Sequence, residues 1–273
     1  MILAASEKSR REVAEAERRQ EAIYAEADGE VWRRAVYEPL HGGWELACIG
    51  GRKFLDFVVR DAALSDCSCV LELGCGSGAA CDYLAANTSA RIVGIERNRA
   101  QYERALRRAG DDARLTFICA DATRWRPNEP FADAGLLLDT LSLIFDQEAV
   151  LEAARSALRP GRALYIADLT VGAGARPSTV EHAFEIDGFV GLRSAEELEA
   201  ALFRAGFADV RIDDANADAI AAFTTINDCV RSLRRRDQPV EFKAALDAWL
   251  DLTAFYLDAF KRRELVYSWA HAS

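Results

Sequence analysis

From Cys69 onward, short apolar runs alternate with longer amphipathic stretches, and this alternation limits the fold more than any other feature of the chain. Apolar runs separated by helical patterns imply βαβ units and a mostly parallel sheet. Strands are expected near Cys69–Leu73, Arg91–Glu96, Leu115–Cys119, Ala134–Leu138, Ala163–Asp168 and Val210–Asp213, with a closing strand near Leu265–Ala270. Helices are expected between them at Ala79–Asn87, Ala100–Ala109, Gln147–Leu158 and Ala195–Ala205. Asp146 can cap the third of these, and Ser194-Ala195-Glu196-Glu197 has the form of a capping box.

The expectation is a Rossmann-like α/β fold with a seven-stranded sheet, an N-terminal helical cap and a helical insertion before the last strand. Residues 1–62 form the cap, 63–216 the core, 217–263 the insertion or lid, and 264–273 the closing strand. In the cap, helices are expected over Ser6–Tyr37 and Trp44–Arg60, separated by Pro39-Leu40-His41-Gly42-Gly43. Val171–Leu192, with several glycines and Pro177, reads as a loop or flap. In the insertion, Phe242, Leu246, Trp249, Thr253, Tyr256 and Phe260 recur at helical spacing, a stripe best explained by packing.

The first unit holds the strongest local signal. Val70-Leu71-Glu72-Leu73-Gly74-Cys75-Gly76-Ser77-Gly78 joins a strand to a helix through a glycine turn with an acid two residues before it. Glycines there let a ligand approach the backbone, and such a turn lies at the carboxyl end of its strand, where open α/β sheets bind ligands. Gly74, Gly76 and Ala79 alone would also suit a dinucleotide. Two further acids follow at strand ends: Glu96 after Ile92-Val93-Gly94-Ile95, and Asp121 in Phe117-Ile118-Cys119-Ala120-Asp121-Ala122. A carboxylate at the Glu96 position can accept from two ribose hydroxyls.

The nonapeptide and the two later acids resemble the class I S-adenosylmethionine-dependent methyltransferases. Downstream, Ala132-Asp133-Ala134-Gly135-Leu136-Leu137-Leu138-Asp139-Thr140-Leu141 resembles their fourth-strand motif, and Leu158-Arg159-Pro160-Gly161-Arg162 their proline-glycine turn, with Arg162 in place of a glycine. The resemblance implies S-adenosyl-L-methionine as cofactor, with Glu72 toward its ammonium end, Glu96 on the ribose and Asp121 on the adenine amino group. Gly74, Cys75, Gly76, Gly78, Arg97, Ala122 and Leu138 complete the expected cofactor contacts. His41-Gly42-Gly43 and the late insertion are similar to small-molecule members of the sarcosine/glycine N-methyltransferase and cyclopropane-fatty-acid-synthase type, although Leu143 stands where their histidine often follows.

The implied activity is in-line methyl transfer to a nitrogen, oxygen or carbon nucleophile. An alternative is a cofactor-binding scaffold, regulator or cyclisation catalyst of the same fold. Glu72 and Asp121 argue against a nicotinamide dehydrogenase, and Leu138-Asp139-Thr140-Leu141 lacks the proline-rich motif of nucleic-acid amino-methyltransferases. Of the three histidines, His41 and His182 are the candidates for acceptor chemistry, together with Asp139; Tyr24 and Tyr37 are candidates to close the cofactor site.

The formal net charge of −10 does not favour a general nucleic-acid partner, despite the run Arg231, Arg234, Arg235, Arg236. No apolar run long enough to span a membrane occurs. Met1 to Val13 becomes charged at once, and the odd count of seven cysteines fits buried thiols in a reducing cytoplasm. Cys67-x-Cys69 lacks zinc-site spacing, so no metal is expected. The expected partner is a small-molecule substrate, and a homo-oligomer is compatible with the sequence.

Overall fold

A computed structural model describes residues 2–26, 29–46, 48–64 and 68–273, without the side chains of 2–10 and 24–26. Cys67 and the side chain of Tyr24 fall outside the described residues.

The sheet has seven strands: β1 (Cys69–Leu73), β2 (Arg91–Glu96), β3 (Leu115–Cys119), β4 (Ala132–Leu138), β5 (Leu158–Val171), β6 (Val210–Asp214) and β7 (Leu265–Ala272). Their order is β3-β2-β1-β4-β5-β7-β6. The first five are parallel neighbours, and β7 runs antiparallel between β5 and β6. β1 lies between β2 and β4, where the strand order reverses, so its carboxyl end opens into the crevice such sheets use for ligands.

Helices α4 (Gly51–Asp61), α5 (Ala79–Asn87), α6 (Arg99–Ala109), α7 (Gln147–Ala157), α8 (Pro177–Asp187), α9 (Ala195–Arg204), α10 (Asn216–Arg234) and α11 (Val240–Lys261) follow the N-terminal elements. Those are α1 (Ile2–Glu26), α2 (Glu30–Trp32), a π-helical turn at Arg33–Tyr37 and α3 (Glu38–His41). β1 and β4 are buried along their whole length, as strands covered on both faces must be. Val70, Leu136, Tyr165 and Tyr267 pack on one face of the sheet with Phe54, Leu84 and Phe260. Leu71, Leu73, Leu137 and Ile166 pack on the other with Val150, Leu151 and Leu202. A third cluster joins Val31, Ala35 and Val36 to Ile226, Val230 and Leu246, so the cap and the late insertion share a core. Among the described residues no helix is long and apolar enough to cross a membrane.

Three sequence expectations need correction. The single helix over Ser6–Tyr37 is two separate helical pieces, α1 and the stretch that begins at Glu30. The helix expected at Trp44 starts only at Gly51, because the N–H of Ile49 is held by Asp139 Oδ2 (2.9 Å) and that of Gly50 by the Tyr267 hydroxyl (3.1 Å). Val171–Leu192 is not all loop, for it contains α8. Pro177 is the first residue of that helix and Gly188 its left-handed C-cap (φ 72°), so they bound the helix rather than break it.

Candidate functional site

Two cavities meet above the glycine turn. The smaller, about 250 Å³, is lined by Glu96, Arg97, Asp121, Ala122, Ile95 and Phe145 among others. The larger, about 320 Å³, is lined by Glu72, Cys75, Gly76, Leu138, Asp139 and a broad apolar wall. Gly74, Thr140, Leu143 and Gln20 border both. The three acids expected from the sequence therefore stand in the order Asp121, Glu96, Glu72 along one continuous space.

Each acid has oxygen capacity left for a ligand. Asp121 Oδ1 accepts from the N–H (2.9 Å) and hydroxyl (2.7 Å) of Thr123, which orients the carboxylate at the end of β3. Glu96 accepts from the N–H of Gly76 (2.9 Å) and of Asn98 (2.6 Å), one on each oxygen. A carboxylate oxygen has two lone-pair sites, so two ribose hydroxyls can still be accepted. Burial raises the Glu96 carboxyl above its ordinary range, offset by those two N–H groups.

Glu72 is the most informative. It is 2% exposed in a wholly buried strand, and it accepts from the Cys81 thiol (2.9 Å), with the Cys81 backbone N–H also lowering its pKa. Burial pushes its pKa up to about 7, with the nearby Glu96 charge adding to the rise. A buried carboxylate without a cation is costly. It suits a ligand that brings an ammonium group, and it does not suit a pyrophosphate.

The backbone geometry fits the same ligand. Gly74 (φ 75°) passes so close to Thr140 that an added Cβ would lie 2.4 Å from Cγ2. Gly76 (φ 52°) instead faces open space: beyond its chain neighbours, none of the described residues comes within 4 Å of a Cβ placed there. Gly78 (φ 74°) is the N-cap of α5. An adenosyl amino acid thus finds acids, an open turn and apolar walls in the needed sequence.

Helix α1, expected as part of an N-terminal cap, borders this space. Val13, Ala16, Glu17 and Gln20 line the smaller cavity, and Ile23 the larger. Gln20 is buried, donates to the carbonyls of Leu143 and Gly188 (both 3.1 Å), and accepts from Arg97 (3.1 Å). Arg97, expected to touch the cofactor, also pairs with Glu17 (2.6 Å), and so ties α1 to the end of β2.

The proposed acceptor residues separate. Asp139 lines the larger cavity in a left-handed conformation (φ 44°) that a non-glycine residue rarely adopts. Its Oδ2 holds Ile49, and its buried Oδ1 has no hydrogen-bond partner among the described residues. Burial and the neighbouring Asp168 raise its pKa well above the carboxylate range. Asp168 is committed to structure, accepting from the N–H groups of Thr140 (2.9 Å), Ser142 (3.2 Å) and Leu169 (2.7 Å).

His41, a candidate for acceptor chemistry, borders neither of these two cavities. Its ring is buried against Gly51, where a Cβ would come within 2.3 Å of Cε1, and neither ring nitrogen has a partner among the described residues. Burial, helped by Arg52, lowers its pKa to about 4, so the ring is neutral at pH 7. His182 is likewise absent from both linings. Its half-exposed ring faces Glu185 (3.2 Å) and the edge of Phe255. Tyr37 packs on Trp32 outside both cavities. Conversely, Trp249 and Tyr256 of the aromatic stripe line the larger cavity, whereas Leu246, Thr253 and Phe260 are core.

Comparison with known proteins agrees with the fold. Residues 70–161 match the family model described as "Methyltransferase domain". O-methyltransferase rstn1 of Aspergillus nomiae is 28% identical over 153 residues, covering 53% of this chain and 66% of that protein. Methyltransferase GfsG of Streptomyces halstedii is 31% identical over 134 residues, covering 48% and 47%. The chain thus spans about half to two thirds of the length of the curated relatives it matches. Among solved structures, phosphoethanolamine N-methyltransferase 2 of Haemonchus contortus, in complex with phosphomonomethylethanolamine and S-adenosylhomocysteine, superposes with a TM-score of 0.77. The superposition covers 90% of this chain and 57% of that one at 18% identity, and shows likeness of fold alone. The sheet order, the glycine turn and the matching family model lead to one conclusion: residues 70–161 match a methyltransferase domain, and the chain has the Rossmann-like fold of S-adenosylmethionine-dependent methyltransferases.

Proposed function

We propose that the protein transfers a methyl group from S-adenosyl-L-methionine to a small apolar molecule held in the larger cavity. The observation that carries this reading is the buried Glu72, with no salt bridge among the described residues, standing in line with Glu96 and Asp121 across the open glycine turn. The methyl donor would supply an electrophilic carbon. The protein's part is to hold the ends of that donor, exclude water and align the acceptor, a contribution of order 7–11 kcal/mol in favourable cases. Asp121 would receive the adenine amino group, Glu96 the ribose hydroxyls and Glu72 the ammonium. Asp139 would border the acceptor side and, through Oδ2, fixes the backbone at Ile49.

Two measurements test the donor half. Glu96→Ala should weaken S-adenosylhomocysteine binding by about 1–3 kcal/mol, roughly 5- to 150-fold, in a calorimetric titration. Unchanged affinity would remove Glu96 from the site. Gln20→Ala deletes the bonds that fasten α1, so S-adenosylhomocysteine should dissociate roughly tenfold faster in stopped-flow displacement with little change in melting temperature. An unaltered off-rate would mean that α1 does not retain the ligand. Incubation with methyl-labelled donor and a panel of amines, phenols and carbon acids tests transfer itself. Donor binding without labelled product from any of them would favour the scaffold reading.

A further inference from the structure

We propose that Asp187 and Tyr256 form an acceptor-binding pair in the larger cavity, in which Asp187 takes the proton of a hydroxyl carried by an apolar acceptor. This deepens the methyl-transfer reading and rests on it. Neither residue belongs to the glycine turn or to the strand-end acids, and nothing in the donor half requires them.

Asp187 is the last residue of α8, and Tyr256 lies on α11; both line the larger cavity. The Tyr256 hydroxyl donates to Asp187 Oδ2. Tyr256 is 3% exposed, so the phenol is fixed by packing against Phe223 and Phe260 rather than free to swing. Gln20 bonds the carbonyl of Gly188 and so anchors this end of α8 to α1. No salt bridge joins Asp187 to a cation among the described residues; burial raises its pKa to about 6, and the phenol alone offsets the rise. The carboxylate is therefore a competent proton acceptor near neutrality.

The walls around the pair select the acceptor class. Trp32, Val36, Phe189, Phe223, Ile226 and Trp249 offer almost nothing to a charged or sugar-like molecule. They suit a ring or chain with one polar group, the arrangement common in small-molecule sites. A carboxylate also attracts ammonium groups, but it stabilises their protonated form, which cannot attack. A hydroxyl gains nucleophilicity from the same contact. In the step, the acceptor oxygen bonds to the methyl carbon as the carbon–sulfur bond of the sulfonium donor breaks. The electron pair stays on sulfur, and the hydroxyl proton passes to Asp187. An ether, a thioether and a neutral carboxyl result.

The test uses the full chain saturated with S-adenosylhomocysteine, and equilibrium dialysis of 2-naphthol, naphthalene and 1-naphthylmethylamine. The proposal expects naphthol to bind about tenfold more tightly than naphthalene, with that advantage lost in Asp187→Asn and reduced in the shape-conserving Tyr256→Phe. S-adenosylhomocysteine should bind both variants as it binds the parent. Equal affinity for naphthol and naphthalene, or a naphthol advantage that survives Asp187→Asn, overturns the proposal while leaving the donor half intact. Preference for the ammonium probe, lost in Asp187→Asn, overturns the hydroxyl assignment. Failure of S-adenosylhomocysteine to bind the parent protein would instead refute the methyl-transfer reading itself.

Discussion

At pH 8, Glu72→Gln should raise the melting temperature of the ligand-free protein and weaken its binding of S-adenosylmethionine at least tenfold. The two effects have one cause. Glu72 has a folded-state pKa of about 7 against an ordinary value of 4.5, so the folded chain holds that proton more tightly than the unfolded chain does. Folding stability is therefore greatest below the unfolded value and declines as pH rises through the folded one. The loss at pH 8 is about 3 kcal/mol for a shift of this size. Glutamine removes the charge and can still accept from the Cys81 thiol, so roughly 1–3 kcal/mol should return. The same substitution deletes the partner for an incoming ammonium group. In the parent protein, ligand affinity should fall by up to tenfold per pH unit below about 7, as Glu72 takes up its proton, and this slope should be absent in the variant. A variant that is no more stable and binds as the parent does would show that Glu72 is satisfied by the protein alone.

Gly74→Ala and Gly76→Ala should fail differently, although both replace a left-handed glycine in the same turn. At position 74 the new methyl meets Thr140 Cγ2 at 2.4 Å and Oγ1 at 2.8 Å. Thr140 is itself held by its hydroxyl bond to the Leu138 carbonyl (2.8 Å) and its N–H bond to Asp168, so it cannot retreat. Overpacking and backbone strain together should cost about 2–5 kcal/mol and lower both melting temperature and ligand affinity. At position 76 the methyl enters open space, and only the left-handed backbone is penalised, by about 1–2 kcal/mol. Ligand affinity should nevertheless collapse, because that open space is where the bound molecule must pass. Calorimetric unfolding alongside ligand titration separates the two. Equal stability losses, or normal affinity in Gly76→Ala, would place the ligand elsewhere.

The sheet was legible because its signals are local. Apolar runs, the Asp146 cap and the Ser194 capping box each act within a few residues, and all appear where expected. The strand ends that carry the three acids were legible from the same runs, and the topology sets those ends along one edge of the sheet. The acceptor side depends on contacts far apart in sequence. Asp187 meets Tyr256 across 69 positions, and Gln20 meets Gly188 across 168. No periodicity reports such a meeting. His41 lies between a proline and two glycines, where its burial cannot be read from sequence, and Gly51 lets its ring pack into the interior. The aromatic stripe divided for a similar reason: one helix face carries Phe260 into the core and Tyr256 to the cavity.

The most direct test of the central claim is a crystal structure of the protein with S-adenosylhomocysteine. It should place the amino group at Glu72, the ribose hydroxyls at Glu96 and the adenine beside Asp121, with the backbone of Gly74 and Gly76 beneath the chain that joins them. A molecule lying elsewhere, or one crossing the turn with its amino group away from Glu72, would contradict the account.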